Sequence, residues 1–445
     1  MNMHTLDEME TSRYNSRAVA SAAWHSLFWL AFANAIGVLI AILLLVPALN
    51  RQLGEWTYGR WMMVHMNLEL YGWASLPLVG FLFRVYGADR GPTANWCRPV
   101  LWVWSASLGV GVLSWLSGNS SGKLFLDWSG YARVLFPGAL LVLWLLLVFA
   151  LVGSWRESGS ASVAAWAAKL AGLVVLLAVP FLIYIASGPN TYPPVNPDTG
   201  GPTGASQLES SLAIVAVLLM LPFGIARRKL GKSGIFVASW MVLVAESILC
   251  VALGRADVSH HSPVQFLSLG SLLIWLPLVP AYYKAFEWHP NTRRWRLAFL
   301  WWWGALLVTG WVFFLPGVLD HFKFTDGLVG HSFVAMAGFT SSLLIFVMVQ
   351  LLGEGGWIFN RSRSFYLWNG SVIAYIVLMT MAGWREGFDP TFTIVPGIAR
   401  NILYTLRLVT GILMLLAALD WLVDASTLLR EPVLAAAEVP QEKTA

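Results

Sequence analysis

The chain has 445 residues, 58% hydrophobic and only 11% charged, with a formal net charge of +5. A soluble domain carries about a quarter charged residues, so the composition excludes a soluble enzyme and a nucleic-acid-binding protein and indicates a membrane protein. The two cysteines, Cys97 and Cys250, fall in or beside apolar segments and give no disulfide framework.

Residues 1–20 form a polar leader. A bilayer crossing needs about 20 apolar residues. Twelve such windows follow: 22–49, 62–83, 99–117, 134–153, 164–187, 208–226, 234–253, 263–286, 297–316, 328–352, 365–384 and 399–429. The first is too long, and its leader too polar, for a cleaved signal peptide. A polar tail, 431–445, ends the chain, so the expected organisation is one membrane domain over 21–430 between two short cytoplasmic segments. The longest outer connection, 188–207, is rich in Pro, Gly and Asn and reads as turns. No short-period repeat is evident.

With the N-terminus placed inside, the inner loops hold fifteen Lys and Arg and the outer loops eight. This bias satisfies the positive-inside rule, and tryptophans near window ends, such as Trp56, Trp61, Trp288, Trp295 and Trp384, suit an interfacial belt. The expected location is the cytoplasmic membrane of a bacterium, with both termini inside.

Of eight histidines, five fall at or near the outer side. His65 is near the outer end of window 2. His260 and His261, in DVSHHSPVQF, stand at the mouth of window 8. His321 precedes window 10, and His331 lies just inside it. Imidazole is costly in hydrocarbon unless paired or ligated, and it is the commonest neutral metal ligand. Each could singly be a core histidine bonded to a carbonyl; five at one level point to a metal or heme site. Glu69 and Glu246, in windows 2 and 7, are candidate proton carriers together with Ser268, Ser271, Tyr282 and Tyr283; interhelical hydrogen bonding is the alternative.

The motifs that carry this pattern resemble the catalytic subunit of the heme-copper oxidase superfamily, nearest to cbb-class cytochrome c oxidases and nitric oxide reductases. GRWMMVHMNLELYGW is similar to the family's R-x4-H-x-N-x4-G segment, HHSPVQFLSLGSLLIWLP to its paired copper-ligand histidines and following helix, and TDGLVGHSFVAMAGF to its T-D-x3-G-H-x-H segment. MAGWREG and YTLRLVTG resemble its last two helices. The resemblance implies an all-α bundle of twelve transmembrane helices. It implies one or two hemes, b-type, with His65 and His331 as axial ligands and Arg407 (with Arg400, His321 and Asp326 nearby) toward heme propionates. It implies copper or iron at His260 and His261, with Glu209 as a third ligand or merely a loop-end carboxylate. Electrons would come from a cytochrome c or a cytochrome-bearing partner subunit.

Three departures are visible. The second histidine of the His-x-His pair is replaced by Phe333. Window 6 has no histidine, and windows 6 and 7 have no tyrosine. The expected function is respiratory electron transfer with O2 or NO reduction at an outer heme–metal site. The alternatives are a non-catalytic heme-bearing or assembly paralogue and a twelve-span transporter.

Overall fold

The computed structural model describes residues 16–157, 163–191, 204–253 and 263–430. The twelve apolar windows each fall on a long helix. These are α1 (Ser16–Leu45), α2 (Tyr58–Asn67, continuing through Leu68–Ala74 and Ser75–Tyr86), α3 (Ala94–Leu116), α4 (Ala132–Glu157), α5 (Val163–Ala186) and α6 (Gly204–Ile225). They continue with α7 (Ser233–Leu253), α8 (Pro263–Ser271 through Trp275–Lys284), α9 (Arg293–Phe313), α10 (Asp326–Phe333 through Val334–Thr340 and Ser341–Leu352), α11 (Ser362–Phe388) and α12 (Ile398–Arg430). Among the described residues the only strands are two of two residues each. Among the described residues eleven helices are long and apolar enough to cross a bilayer; α2, which carries Arg60, Asn67, Glu69 and Arg84, is not one of them. The chain is therefore an all-α, polytopic membrane protein.

Helices are the expected solution in hydrocarbon, where each backbone N–H and C=O must find a partner inside the protein. Prolines at 99, 137, 180, 222 and 280 sit inside these helices, as membrane helices tolerate. Helix α12 makes its most extensive contact with α1, which also packs on α2 and α3; α10 packs on α2, α9 and α11, and α6 on α2, α7 and α8.

At one end of the bundle, basic side chains close the carbonyl ends of helices. Arg400 donates to Leu44 O of α1 at 2.7 Å, Arg60 to Leu116 O of α3 at 2.7 Å, and Lys123 to Ala186 O of α5 at 2.8 Å. Each brings a positive charge to the negative end of a helix dipole while satisfying an orphan carbonyl. At the other end, Arg84 holds Asp89 at 2.6 Å, yet burial of Asp89 outweighs that pairing and pushes its carboxyl above the usual range. There Arg227–Arg228 pairs antiparallel with Phe286–Glu287.

The bundle contains an internal repeat with a period too long to notice as a short motif. Helices α1–α2–α3 and α9–α10–α11 use the same contacts. Both α2 and α10 are interrupted by a seven-residue π turn, Leu68–Ala74 and Val334–Thr340. Each turn contains a glycine against which a tryptophan of the preceding helix packs. A Cβ at Gly72 would come within 2.5 Å of Trp29, and one at Gly338 within 2.5 Å of Trp302. Each turn then receives an indole N–H from the following helix: Trp104 donates to Tyr71 O at 2.9 Å, and Trp368 to Ala337 O at 3.0 Å. Each is closed by a serine five residues on, Ser75 to Leu70 O and Ser341 to Met336 O, both at 2.9 Å. Trp29 donates to Ser105, and Trp302 to Asn369, each the residue after the donating tryptophan of the third helix. Trp73 Nε1 joins the two units by donating to Ser341 Oγ at 2.8 Å.

Adding a methyl at Gly72 or Gly338 must displace an indole, so Gly72→Ala and Gly338→Ala are each expected to cost about 1–3 kcal/mol by overpacking. Gly109→Ala and Gly370→Ala, where a Cβ meets nothing within 4 Å, should leave stability unchanged or raise it slightly. Thermal unfolding of the four variants in detergent checks this.

Candidate functional site

His65 and His331 occupy equivalent places in the two repeats: each lies three residues before its π turn and seven before the packed glycine. Such π turns gather at functional sites. Each ring lies against a glycine of the preceding helix. A Cβ at Gly37 would meet His65 Cε1 at 3.0 Å, and one at Gly310 would meet His331 Cε1 at 3.6 Å. Gly37 lies eight residues after Trp29, and Gly310 eight after Trp302.

The hydrogen bonds settle the tautomers. His65 Nδ1 lies 2.8 Å from Ala33 O. A carbonyl can only accept, so Nδ1 carries the proton. His331 Nδ1 lies 3.2 Å from Thr309 Oγ1, whose own hydrogen goes to Ala305 O at 2.7 Å, so here too Nδ1 donates. In both neutral imidazoles Nε2 is then a bare lone pair. Neither Nε2 has a hydrogen-bond partner among the described residues. Both rings are half-buried, and each keeps part of its surface accessible. A protonated nitrogen anchored to a fixed acceptor with the other left for a metal is the usual arrangement of a ligating histidine.

Glu69 is four residues after His65, on the same helical face. It is half-buried and makes no hydrogen bond or ion pair with described residues. Its counterpart in the second repeat is Ala335. Close to His65, the buried Asn67 donates to Met63 O at 2.8 Å and to Asp127 Oδ2 at 3.0 Å. Burial of Asp127 raises its carboxyl above the usual range, against the pull of Asn67 and the Gly122 and Lys123 amides.

Arg407 is buried and its charge is met by protein groups. Its guanidinium lies 3.7 Å from Asp326 and 5.5 Å from the ring centres of both Tyr375 and Tyr404. Tyr404 donates to Asp326 at 2.6 Å, and the Asp326 amide donates to Glu386 at 2.5 Å. Phe333 stacks on Tyr375, centroids 3.8 Å apart and planes 15° from parallel. Where the resemblance calls for a ligand, this chain has an aromatic pair. Arg400 is committed to Leu44 O, Asn401 and Thr393 O. His321 bonds Trp384 O at 3.1 Å among the rings of Phe322, Trp384 and Phe388, a packing role on α11.

His260 and His261 lie outside the described residues. Glu209 is exposed, at a groove of about 550 Å³ between α6 and α7 lined by Leu212, Ala216, Leu243, Ser247 and Cys250. Glu246 accepts from Trp275 Nε1 at 2.5 Å, with its other oxygen buried and unpaired. Tyr282 donates to Leu219 O at 2.7 Å and Tyr283 to Leu218 O at 3.1 Å, which ties α8 to α6. No group of three metal-binding side chains occurs among the described residues. The anchors Ala33, Gly37, Thr309 and Gly310 escaped sequence reading, although a signal was there. HMNLELYGWAS and HSFVAMAGFTS share His-x6-Gly-x2-Ser, and WLAFANAIG and WWGALLVTG share Trp-x7-Gly.

No known family model and no curated protein matches this chain. The fold and site define it as an all-α polytopic membrane protein with two half-buried imidazoles at equivalent places in a repeat.

Removing one partner of the Arg407–Asp326 pair strands a buried charge, at about 3–5 kcal/mol. Asp326→Ala should therefore destabilise strongly. Adding Arg407→Met to it should recover much of the loss, read as a double-mutant cycle from unfolding in detergent.

Proposed function

We propose that this chain is a heme-binding subunit of a membrane electron-transfer system, related to the heme-copper oxidases, with His65 and His331 as iron ligands. The observation that carries the reading is the pair of half-buried imidazoles, each anchored through Nδ1 and holding an Nε2 with no hydrogen-bond partner among the described residues. Heme supplies one-electron transfer and, at an open coordination position, binding of a diatomic molecule. The protein's part is to hold each imidazole in one tautomer and orientation and to exclude water around it.

Phe333, stacked on Tyr375, has no atom to serve as the second axial ligand of an oxygen-reducing centre. Arg407, already charge-paired to Asp326, is a less available partner for heme propionates. These features favour electron transfer or diatomic binding over O2 or NO reduction, which would need copper or iron at His260 and His261. A parallel repeat also occurs in transporters, but a transporter has no need of ligand-ready imidazoles.

In this reading α2 crosses the membrane as the twelfth span. The bundle sits in a bacterial cytoplasmic membrane with both termini inside and the histidines toward the outer face, and a cytochrome c or cytochrome-bearing subunit exchanges electrons there. After replacement of Cys97 and Cys250, a cysteine at Lys123 should react with an impermeant maleimide from outside intact cells, and one at Lys232 only after lysis. The reverse pattern would invert the orientation.

Heme per chain, by pyridine hemochrome on detergent-purified protein, tests the function. Heme should copurify, and His65→Ala and His331→Ala should each lower it. A folded chain without heme, purified under heme-retaining conditions, would leave a structural or transport role.

A further inference from the structure

We infer that the turn between α6 and α7, tied to the turn between α8 and α9, is a binding site for the phosphate headgroup of an anionic phospholipid. The inference does not depend on the heme reading.

The α6–α7 turn is Ala-Arg-Arg-Lys-Leu-Gly-Lys, residues 226–232, and it holds four cations and no anion. It reverses the chain directly between two membrane-length helices, so it stays at headgroup depth. Trp288, half-buried in the α8–α9 turn, suits the same level. Backbone bonds make the two turns one frame. Arg227–Arg228 pairs with Phe286–Glu287, and the Lys229 amide donates to Ala285 O at 2.9 Å. Lys229 Nζ donates to Lys284 O at 3.2 Å, which brings two lysines together. Arg228 is exposed yet steadied by aromatic faces, 5.8 Å from the Phe223 ring centre and 5.4 Å from that of Phe236.

Other basic groups at this end of the bundle are met by protein. Arg84 pairs with Asp89, Arg361 with Asp420 and Asp424, and His289 with Glu354. Among the described residues, no carboxylate forms an ion pair with Arg228, Lys229, Lys232 or Lys284, all exposed. The one acid in the frame, Glu287, stands opposite Arg227 in the register. Membrane sidedness needs only a number of cations. It does not require them fixed in one frame without a counter-ion, where they repel one another. A phosphate relieves that repulsion and accepts their hydrogen bonds. Leu230, at the tip of the turn, is 99% exposed, and Gly231 beside it reverses the backbone at φ +73°. Cations flanking an exposed apolar side chain at this depth match a ligand with a charged head and a hydrocarbon tail. A soluble anion would use only the first feature.

The probe is phosphatidylglycerol, titrated into delipidated, detergent-purified full-length protein and counted by native mass spectrometry. Phosphatidylcholine and glycerol phosphate are the comparisons. The protein should retain phosphatidylglycerol in preference to phosphatidylcholine, and equimolar glycerol phosphate should not displace it. Lys229→Gln, Lys232→Gln and Lys284→Gln should each weaken retention roughly fivefold, the factor one surface cation contributes. The three combined should abolish the preference. Leu230→Ser should weaken retention while leaving thermal unfolding without lipid unchanged. Arg51→Gln, Arg363→Gln and Arg385→Gln together remove the same charge from exposed positions elsewhere and should leave retention intact.

Equal retention of both lipids, or an equal loss in the arginine triple variant, would overturn the inference in favour of general surface charge. Displacement by glycerol phosphate, with no effect of Leu230→Ser, would overturn it in favour of a soluble phosphate. Displacement by an equimolar polyglutamate peptide would overturn it in favour of an acidic protein partner.

Discussion

The interaction on which the site depends is an indole N–H bonded to a carbonyl in a π turn. A π turn breaks the regular helical ladder and leaves a carbonyl short of its usual partner. In lipid such a group cannot turn to water and must be satisfied by the protein. Trp104 does this for Tyr71 O and Trp368 for Ala337 O. With the carbonyl satisfied, the wider turn is tolerated, and the helix on its far side changes phase. The histidine three residues before the turn can then face the preceding helix while residues beyond it pack toward the neighbouring unit, as Trp73 does on Ser341. Glycines 72 and 338 complete the arrangement by letting an indole approach the turn where any side chain would obstruct it.

Much of the architecture was legible in the sequence. Long apolar windows give helix positions almost directly, because hydrocarbon thickness sets their length and water cannot compete for their backbone. Even α12, read over 399–429, forms over Ile398–Arg430. The weakest window was α2, for a physical reason: its polar residues belong to the site and to the helix ends, and they depress its hydropathy. Candidate ligands could be picked out by residue type, since an imidazole in an apolar window is costly. Their support could not. A backbone carbonyl such as Ala33 O has no side-chain signature, and Gly37 reads like any other glycine in a membrane helix. The repeat was hidden because only a few positions recur over more than 260 residues, each fixed by packing while its neighbours vary freely on the lipid side.

The Arg407 cluster shows how a buried charge is carried without water. One guanidinium is surrounded by Asp326 and the rings of Tyr375 and Tyr404, and Asp326 is itself bonded to Tyr404. The partners come from α10, α11 and α12, so the charge orders three helices at once. The same Tyr375 ring stacks on Phe333. The position that departs from the oxidase pattern is therefore built into this network, and is coupled to the arginine through one shared ring.

The seam between α1 and α12 has a consequence for how the protein is made. Arg400 reaches back to Leu44 O, and α12 lies along the first helix. Membrane helices emerge from the ribosome in order, N-terminal first. The partner of α1 is thus the last to arrive, after about 350 further residues have been synthesised and inserted. Until then α1 keeps a lengthwise groove open to lipid or to whatever insertion factor attends it. A chain stopped anywhere before α12 would carry this exposed seam as a mark of incompleteness, recognisable by quality-control proteases without any damage elsewhere.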